Sequence, residues 1–338
     1  MSAARACGCG AVDLHTHIVP ENFPALAEGG DIPWPSMQHL DQCHANVMIS
    51  GKQFRAVDNR CWSVAARLAA MEEMGITRQV LSPMPVLLSH GMPEKAAIQL
   101  GDHVNGTIAA MVAEAPDQFS GLGMVPLQNI DAAIRTLEKL VKVEGLAGVE
   151  IGTHIAGMVI GDPKFEPFFE AAEALSASIF VHALNPLGKE RLVGPTQLSN
   201  ALGFPCEVGL SAASVLTGGL IARHPNLRIA FSHGGGALAM LLPRLAHVWD
   251  ISEAIRSEIP LDPREGARRL YYDTLVYDKD ALGYLIRKFG SDRLILGSDF
   301  PFTIHDRNPA GRLDDLDLTA QEKSRLLHEN ASVFLGLT

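Results

Sequence analysis

The sequence predicts a (β/α)₈ barrel, or TIM barrel, with a small insertion subdomain after its first strand. Three observations lead to this prediction. The chain of 338 residues has the usual length of one such barrel with an insertion. Eight short apolar runs alternate with eight longer helix-like stretches. Histidine or aspartate side chains lie at the ends of the first and last runs, which only a closed barrel places side by side.

The predicted strands are short and apolar on both faces, as expected for strands buried in a parallel sheet. They cover residues 11–14, 80–82, 119–126, 145–151, 178–182, 227–232, 270–273 and 293–297. The predicted helices cover residues 62–74, 93–115, 130–142, 164–175, 208–223, 237–251, 280–288 and 320–328. Alternation alone fits an open doubly wound sheet almost as well, so the site residues must decide between the two folds.

One long excursion separates the first strand from the first helix. Residues 19–60 are rich in proline and glycine and show no sustained hydrophobic period. Such an excursion is typical of an active-site lid or a small insertion subdomain. Since no internal repeat or second core-sized region is found, we expect one domain over residues 1–338 with this insertion inside it.

The composition limits the classes of partner. The formal net charge of −10 argues against nucleic acid, whose binding depends on phosphate neutralisation by Lys and Arg. No segment reaches the ~18 consecutive apolar residues of a membrane span, and the amino-terminal residues lack the apolar run of a signal peptide. A cytoplasmic protein that binds a small molecule is expected. An anionic substrate would need locally placed cations.

The cysteines suggest no disulfide framework. Their number is odd, five, which favours reduced thiols in a cytosolic enzyme. Cys7 and Cys9 could bind a metal, but they lie in a predicted tail before the first strand, which favours an unstructured segment.

The first chemical signal is the pair His15 and His17. Residues two apart in a strand point to the same face, so the two imidazoles can chelate one ion. Two solvated histidines at a strand end are the alternative interpretation.

Three further strand ends carry metal-binding side chains. His182 and His233 each follow an apolar strand, and Asp299 ends the eighth strand. A satisfied buried histidine is the alternative for His182, and a helix N-cap is the alternative for Asp299. The His233-Gly-Gly-Gly run could form a lipase-type oxyanion hole, but the Gly-x-Ser-x-Gly elbow of that site is absent from the sequence.

Together these residues predict one divalent ion. Imidazole nitrogen and carboxylate oxygen suit zinc, and manganese is also possible with these donors. The predicted ligands are His15, His17, His182 and Asp299. We predict that His233 acts as a general acid or base near the metal.

This pattern resembles the amidohydrolase superfamily, and more narrowly the branch typified by 2-amino-3-carboxymuconate-6-semialdehyde decarboxylase. The resemblance runs from about Val12 to Phe334. Besides the histidines and Gly-Ser-Asp299-x-Pro, it includes a Gly-Lys-Gln-Phe-Arg55 segment. Shorter similar runs are Pro205-Cys-Glu207, Leu242-Pro-Arg244 and Asp273-Thr274.

The resemblance implies a zinc ion on the four predicted ligands and an acid/base role for His233. It also implies that Arg55 grips a substrate carboxylate, and that Arg244 reaches into the neighbour's site in a homodimer. The carboxylated lysine that bridges two metals elsewhere in the superfamily is missing, since the fourth strand is followed by Gly-Thr-His154. One metal ion is therefore expected. The branch has His-Pro-Trp-Asp after its fifth strand, whereas this chain has His182-Ala-Leu-Asn-Pro186, so the pocket neighbours of the ligand differ.

The expected function is decarboxylation of a small carboxylated muconate semialdehyde or a hydroxy- or amino-aromatic acid. Metal-bound water and His233 would handle protons, Asp299 could share them, Arg55 and Arg244 would bind carboxylates, and His154 would line the site. The main alternative is a hydrolase or hydratase of the same superfamily, acting on a ring-cleavage product, lactone or amide. A non-catalytic binding protein is the third possibility, and it predicts no bound metal.

Overall fold

The fold was analysed in a computed structural model that describes residues 10–27, 30–186 and 188–337; Cys7 and Cys9 lie outside the described residues. The strands are β1 (Ala11–Ile18), β2 (Pro35–His39), β3 (His44–Ile49), β4 (Lys52–Asp58), β5 (Ile76–Pro83), β6 (Phe119–Gly123), β7 (Gly148–Gly152), β8 (His154–Ile155), β9 (Met158–Val159), β10 (Ser178–His182), β11 (Arg228–Phe231), β12 (Tyr271–Asp273) and β13 (Leu294–Ile295). The helices are α1 (Val64–Met74), α2 (Glu94–Glu114), α3 (Ile130–Lys142), α4 (Glu166–Ala174), α5 (Phe204–Thr217), α6 (Leu220–Arg223), α7 (Leu238–Ile251), α8 (Glu253–Glu258), α9 (Pro263–Ala267), α10 (Lys279–Phe289), α11 (Ala320–Ser324) and α12 (Asn330–Leu335).

Eight parallel strands form the barrel in the order β1-β5-β6-β7-β10-β11-β12-β13. Backbone hydrogen bonds then join the last strand to the first. The Leu14 N–H donates to Leu296 O over 2.8 Å, and the Asp299 N–H donates to His15 O over 2.8 Å. The predicted fold class is therefore confirmed, and β1 and the segment after β13 lie side by side as the sequence argument required.

Strand β1 places both core and site residues inside the barrel. Its pairing with β5 shifts register between Asp13 and Thr16. Leu14 belongs to the apolar cluster inside the barrel, while His15 packs against Phe180 with ring centroids 5.1 Å apart. The register shift explains how consecutive residues of one strand both face inward. The predicted strand of residues 11–14 was therefore too short.

Helix α12 closes the amino-terminal end of the barrel. Phe334 and Leu335 pack against the interior apolar cluster, and Ser178 Oγ, at the start of β10, donates a hydrogen bond to Phe334 O over 2.6 Å. The opposite, carboxyl-terminal end is left to the site residues, which is the end that barrel enzymes use.

Most helices match their predictions within two residues, and α3 matches at both ends. The helix predicted over residues 208–223 is divided into α5 and α6, because Gly219 adopts a φ of 72° between them. Helices α8, α9 and α12 lie outside all the predicted ranges. Among the described residues, no helix combines the length and apolar character needed to cross a bilayer.

The insertion of residues 19–60 contains a three-stranded antiparallel sheet, β2-β3-β4. Strands β3 and β4 join through Ser50 and Gly51, whose φ values of 50° and 72° are those of a tight hairpin turn. Much of this sheet is exposed, so its residues lack the regular alternation of a half-buried strand. That exposure explains why the sequence pattern did not reveal its strands.

A buried arginine fastens α1 to the backbone beside the predicted ligands. The Arg67 side chain is fully buried and donates hydrogen bonds to Thr16 Oγ1, at 3.2 Å, and to His17 O. It also donates to Gln79 Oε1 over 3.0 Å. These contacts hold β1 in place from outside the barrel.

Candidate metal centre

Four predicted ligands meet at the carboxyl-terminal end of the barrel. His15 and His17 come from β1, His182 ends β10, and Asp299 follows β13. All four are buried, and one donor atom from each lies within 4.8 Å of the others. The Nε2 atoms of His15 and His17 are 3.2 Å apart, and His17 Nε2 lies 3.2 Å from Asp299 Oδ1.

His15 is oriented by a buried carboxylate. Its Nδ1–H donates to Asp273 Oδ2 over 2.6 Å, which turns Nε2 toward the cluster. Burial acts to lower the pKa of His15, but the hydrogen bond and charge of Asp273, with Asp299, raise that pKa to about 9. A carboxylate behind a ligating histidine raises the basicity of the ligand, so Asp273 makes His15 a stronger donor.

His17 and His182 are oriented by backbone carbonyls. The Nδ1–H of His17 donates to Pro83 O over 2.9 Å, and that of His182 donates to Ala183 O over 2.8 Å. Burial lowers the pKa of both imidazoles, and for His182 the pKa falls well below its usual range. Both rings are therefore neutral with an Nε2 lone pair facing the cluster, since the carbonyls can only accept.

The donor set fits a divalent cation. Burial alone would raise the pKa of Asp299, but its interactions with His17 and His15 lower it, so this group is a carboxylate. The buried His182 Nε2 has no hydrogen-bond partner among the described residues. Three imidazole nitrogens and a carboxylate that converge on one point favour a cation, which displaces the proton of His15 when it binds, and their atom types suit zinc and manganese alike.

His233 lies beside the cluster. Its ring centroid is 5.4 Å from that of His15 and 5.2 Å from that of His182. The residue has a φ of 55°, and its backbone N–H donates to Asp273 Oδ2 over 2.9 Å. Burial and the neighbouring His15 lower the pKa of His233 to about 4, so near neutral pH its ring is neutral.

The glycines after His233 serve backbone packing. A β-carbon on Gly236, whose φ is 56°, would lie 2.0 Å from Pro205 O. The turn from β11 to α7 is therefore possible only with glycine at this position. The close approach is to the backbone of Pro205, in the first turn of α5.

A pocket of about 190 Å³, here called the Arg55 pocket, opens over the cluster. Arg55 of β4 lines it together with Phe54, Lys189 and the ligands His17 and Asp299. The Arg55 guanidinium carbon lies 4.3 Å from the ring centroid of Phe302. Phe302 in turn stacks on His17, with centroids 5.2 Å apart. Arg55 thus lies near the predicted ligands, and its role in binding a substrate carboxylate stays a prediction.

Two other predicted residues do not join this site within the chain. Both ring nitrogens of His154 are hydrogen-bonded to backbone: the Nε2–H donates to Asn185 O, and Nδ1 accepts from the Gly157 N–H. His154 is not part of the pocket lining. Arg244 is exposed on α7, away from the pocket.

Two buried carboxyl groups near the centre were not predicted to act there. Asp273 ends β12, and its oxygens also accept the backbone N–H groups of Gly234 and Leu275. Glu150 in β7 accepts a hydrogen bond from Ser82 Oγ over 2.5 Å, and its Oε2 lies 3.7 Å from His17 Nδ1. Burial raises the pKa of Glu150 to about 8. The sequence could have indicated Asp273, because this residue ends a predicted strand, as Asp299 is predicted to do.

The family profile described as Amidohydrolase matches residues 12–337. The 2-amino-3-carboxymuconate-6-semialdehyde decarboxylase of Dictyostelium discoideum is 35% identical over 332 residues, which cover 96% of this chain and 91% of that protein.

Solved structures agree on the architecture. The IDCase of Metarhizium anisopliae in its apo form superposes with a TM-score of 0.83 at 21% identity, covering 99% of both chains. The dihydroxybenzoic acid decarboxylase of Polaromonas sp. JS666, with bound manganese and the inhibitor 2-nitroresorcinol, has a TM-score of 0.74 at 19% identity and covers 97% of both chains. At these sequence identities the likeness supports a shared fold and nothing more specific.

Proposed function

The chain belongs to the amidohydrolase family, and on that premise we propose that it decarboxylates a small carboxylated muconate semialdehyde or a hydroxy- or amino-aromatic acid. The relative from Dictyostelium is a named decarboxylase, which supports a metal-dependent carboxy-lyase. The observation that carries the proposal is the convergence of three imidazole nitrogens and Asp299 beneath a pocket that contains Arg55.

The residues divide the work of the reaction. Arg55 binds a substrate carboxylate, because its planar guanidinium matches the two carboxylate oxygens. His15, His17, His182 and Asp299 hold the metal ion, which when bound polarises a substrate oxygen and stabilises the negative charge that develops there. His233 is neutral near neutral pH; it would take a proton from water and pass it to the carbon that loses the carboxyl group.

The metal is proposed to be a single zinc ion, with manganese as the alternative. Three imidazoles and one carboxylate are common zinc donors. The Polaromonas neighbour holds manganese, so both ions should be compared. Metal-free protein reconstituted separately with each ion, and assayed for carbon dioxide release, decides which one supports turnover.

A homodimer is proposed from the position of Arg244. This residue is exposed on α7 beside large exposed apolar side chains, with Met240 72% and Ile251 69% exposed. A second copy covering this face could bring Arg244 to the partner's pocket. Mixing and refolding the inactive variants Arg244→Ala and His233→Ala tests this, since only shared sites restore activity in the hybrid.

The expected cytoplasmic location also stays a prediction.

The decisive experiment measures the product. Zinc-loaded protein is incubated with carboxylated muconate semialdehydes and hydroxybenzoates, and carbon dioxide is measured. Release from any of them supports the proposal, whereas water addition without carbon dioxide supports the hydrolase or hydratase alternative. A His233→Ala variant that keeps its metal and near-normal turnover would remove the proton role from His233.

A further inference from the structure

A second cavity adjoins the metal centre on the other side of His233. It has a volume of about 310 Å³ and is here called the Tyr277 pocket. It shares three residues with the Arg55 pocket, namely Asn200, His233 and Asp299. The two cavities therefore meet at the residues that would contact the reacting atoms, and one ligand can extend into both.

The two cavities differ in charge. The Arg55 pocket carries the cations Arg55 and Lys189. The lining of the Tyr277 pocket includes no Lys or Arg, and its charged residue is Asp299; Leu275, Val276 and Ile304 make most of its walls apolar. An anionic group is therefore favoured on the first side and disfavoured on the second.

Tyr277 supplies a hydrogen-bond donor to the second cavity. In the described part of the chain, no group hydrogen-bonds its hydroxyl, and the side chain is 44% exposed. Burial and the charges of Asp299 and Asp273 raise the pKa of this phenol, so it is protonated and able to donate.

The backbone holds Tyr277 in an unusual conformation. Its φ is 58°, in the left-handed region that residues with a β-carbon seldom adopt. Arg312 braces it, because the guanidinium donates to Tyr277 O over 3.1 Å and to Asp306 Oδ2 over 2.7 Å. The Asp306 N–H donates to Ser298 O over 2.8 Å, which connects this brace to the residue before Asp299. Such conformations persist where the surrounding contacts impose them, and they concentrate at functional sites.

We infer that Tyr277 is a specificity-determining residue that donates a hydrogen bond to an uncharged oxygen substituent of the substrate, a hydroxyl or an aldehyde, in the Tyr277 pocket. The inference rests on the proposed decarboxylase function and narrows its substrate class. The substrate is two-ended, with its acidic group directed to Arg55 and a neutral oxygen group directed to Tyr277.

The test compares acids that differ by one hydroxyl group. The value of kcat/KM is measured for 2-hydroxybenzoate and for the 2,4-, 2,5- and 2,6-dihydroxybenzoates with wild-type protein and Tyr277→Phe. One hydrogen bond predicts a fall of about five- to tenfold for a dihydroxy acid whose extra hydroxyl reaches Tyr277. The value of kcat/KM for 2-hydroxybenzoate should change less than about twofold, because this acid has no second hydroxyl to hydrogen-bond with Tyr277.

Tyr284→Phe is the matched control. Its hydroxyl donates to Ala239 O over 2.9 Å between helices, outside both pockets, so the variant loses a hydrogen bond without changing acid preference. An equal fall for all acids, or no change for any, overturns the inference.

Failure of the proposed function has a different readout from failure of the inference: wild-type protein would release no carbon dioxide from any of the acids. The binding of the same acids to zinc-loaded wild type and Tyr277→Phe, measured by calorimetry, then decides the inference. The expected result is a hydroxyl-dependent loss of affinity in the variant. Equal affinities, or no binding by either protein, would overturn it.

Discussion

The metal-binding and substrate-binding sides of the site are held in different ways. His15 and His17 are fully buried, and their outer nitrogens are hydrogen-bonded to Asp273 and to backbone. Arg55 is only half-buried and Lys189 is exposed, and among the described residues neither has an ion-pair partner. The first side is preorganised by barrel strands, while the second comes from the insertion and from the loop after β10.

This difference separates chemistry from selectivity. Side chains at strand ends are fixed by the barrel hydrogen bonds, so changing one should remove the reaction itself. Side chains from inserted segments can vary without disturbing the barrel, so changing one should alter which acid is accepted. The variants below test that division, in order of decreasing effect.

Replacement of a ligand should have the largest effect. His182→Ala removes one donor from the cluster, so the variant should lose bound metal and about a thousandfold in turnover. Metal content after dialysis and carbon dioxide release are the measurements. The control is His224→Ala, since His224 is also buried but is bonded to Glu166 and Glu173 away from the site. A His182→Ala protein with a full complement of metal would contradict the assignment.

Asp273→Asn should weaken the metal site without removing a ligand. The amide cannot replace the charge that makes His15 basic, so metal affinity should fall about 10- to 100-fold. Competition with a chromophoric chelator measures this affinity. Asp262→Asn, at the exposed start of α9, should leave it unchanged. Unaltered affinity in Asp273→Asn would mean that the carboxylate serves only the backbone around His233.

Arg55→Ala should raise KM about tenfold while metal content stays at the wild-type level. The variant loses one charged hydrogen-bonding partner of the substrate carboxylate. Arg55→Lys should restore only part of the substrate binding, because lysine lacks the planar guanidinium of arginine. Steady-state kinetics and metal analysis of the same samples separate the two sides. Lys52→Ala, on the same strand and exposed, is the control. A loss of metal in Arg55→Ala would show that the sides are not independent.

Phe302 contacts both sides and should give the smallest effect. It stacks on His17 and lies under the Arg55 guanidinium. Phe302→Leu removes the cation–π contact, so a double-mutant cycle with Arg55→Ala should show a coupling of about 1 kcal/mol in kcat/KM. Strict additivity of the two changes would mean that Phe302 does not position Arg55.

The same division governs what the sequence could predict. β10 was predicted with its observed bounds, because its apolar run stops at His182 where the barrel opens. β1 was underestimated, since histidines that face a metal site interrupt the apolar pattern, and its register shift leaves no sequence signal. The four clustered side chains lie at strand ends, so the barrel topology was enough to predict that they meet, and their role as metal ligands stays a prediction.

Residues outside the strands were harder to place. The exposed sheet β2-β3-β4 has little apolar alternation, so the position of Arg55 came from a family resemblance rather than from a pattern. His154 was expected to line the site because it follows the fourth strand, but the β8-β9 hairpin bonds its ring to backbone. Tyr277 had no signal, because its position depends on a backbone conformation that sequence patterns do not report.

The closure of the barrel also bears on how the protein is made. Ser298 donates a hydrogen bond to Asp13 across 285 residues of chain, and helix α12, which covers the barrel interior, lies still later in the sequence. During translation β1 therefore remains without its neighbour until the residues that follow β13, 285 positions later, have left the ribosome. Contacts of such long sequence separation slow folding, and the uncovered apolar interior is exposed to aggregation meanwhile. A released fragment that ends before residue 294 should bind chaperones longer than one that includes residue 337.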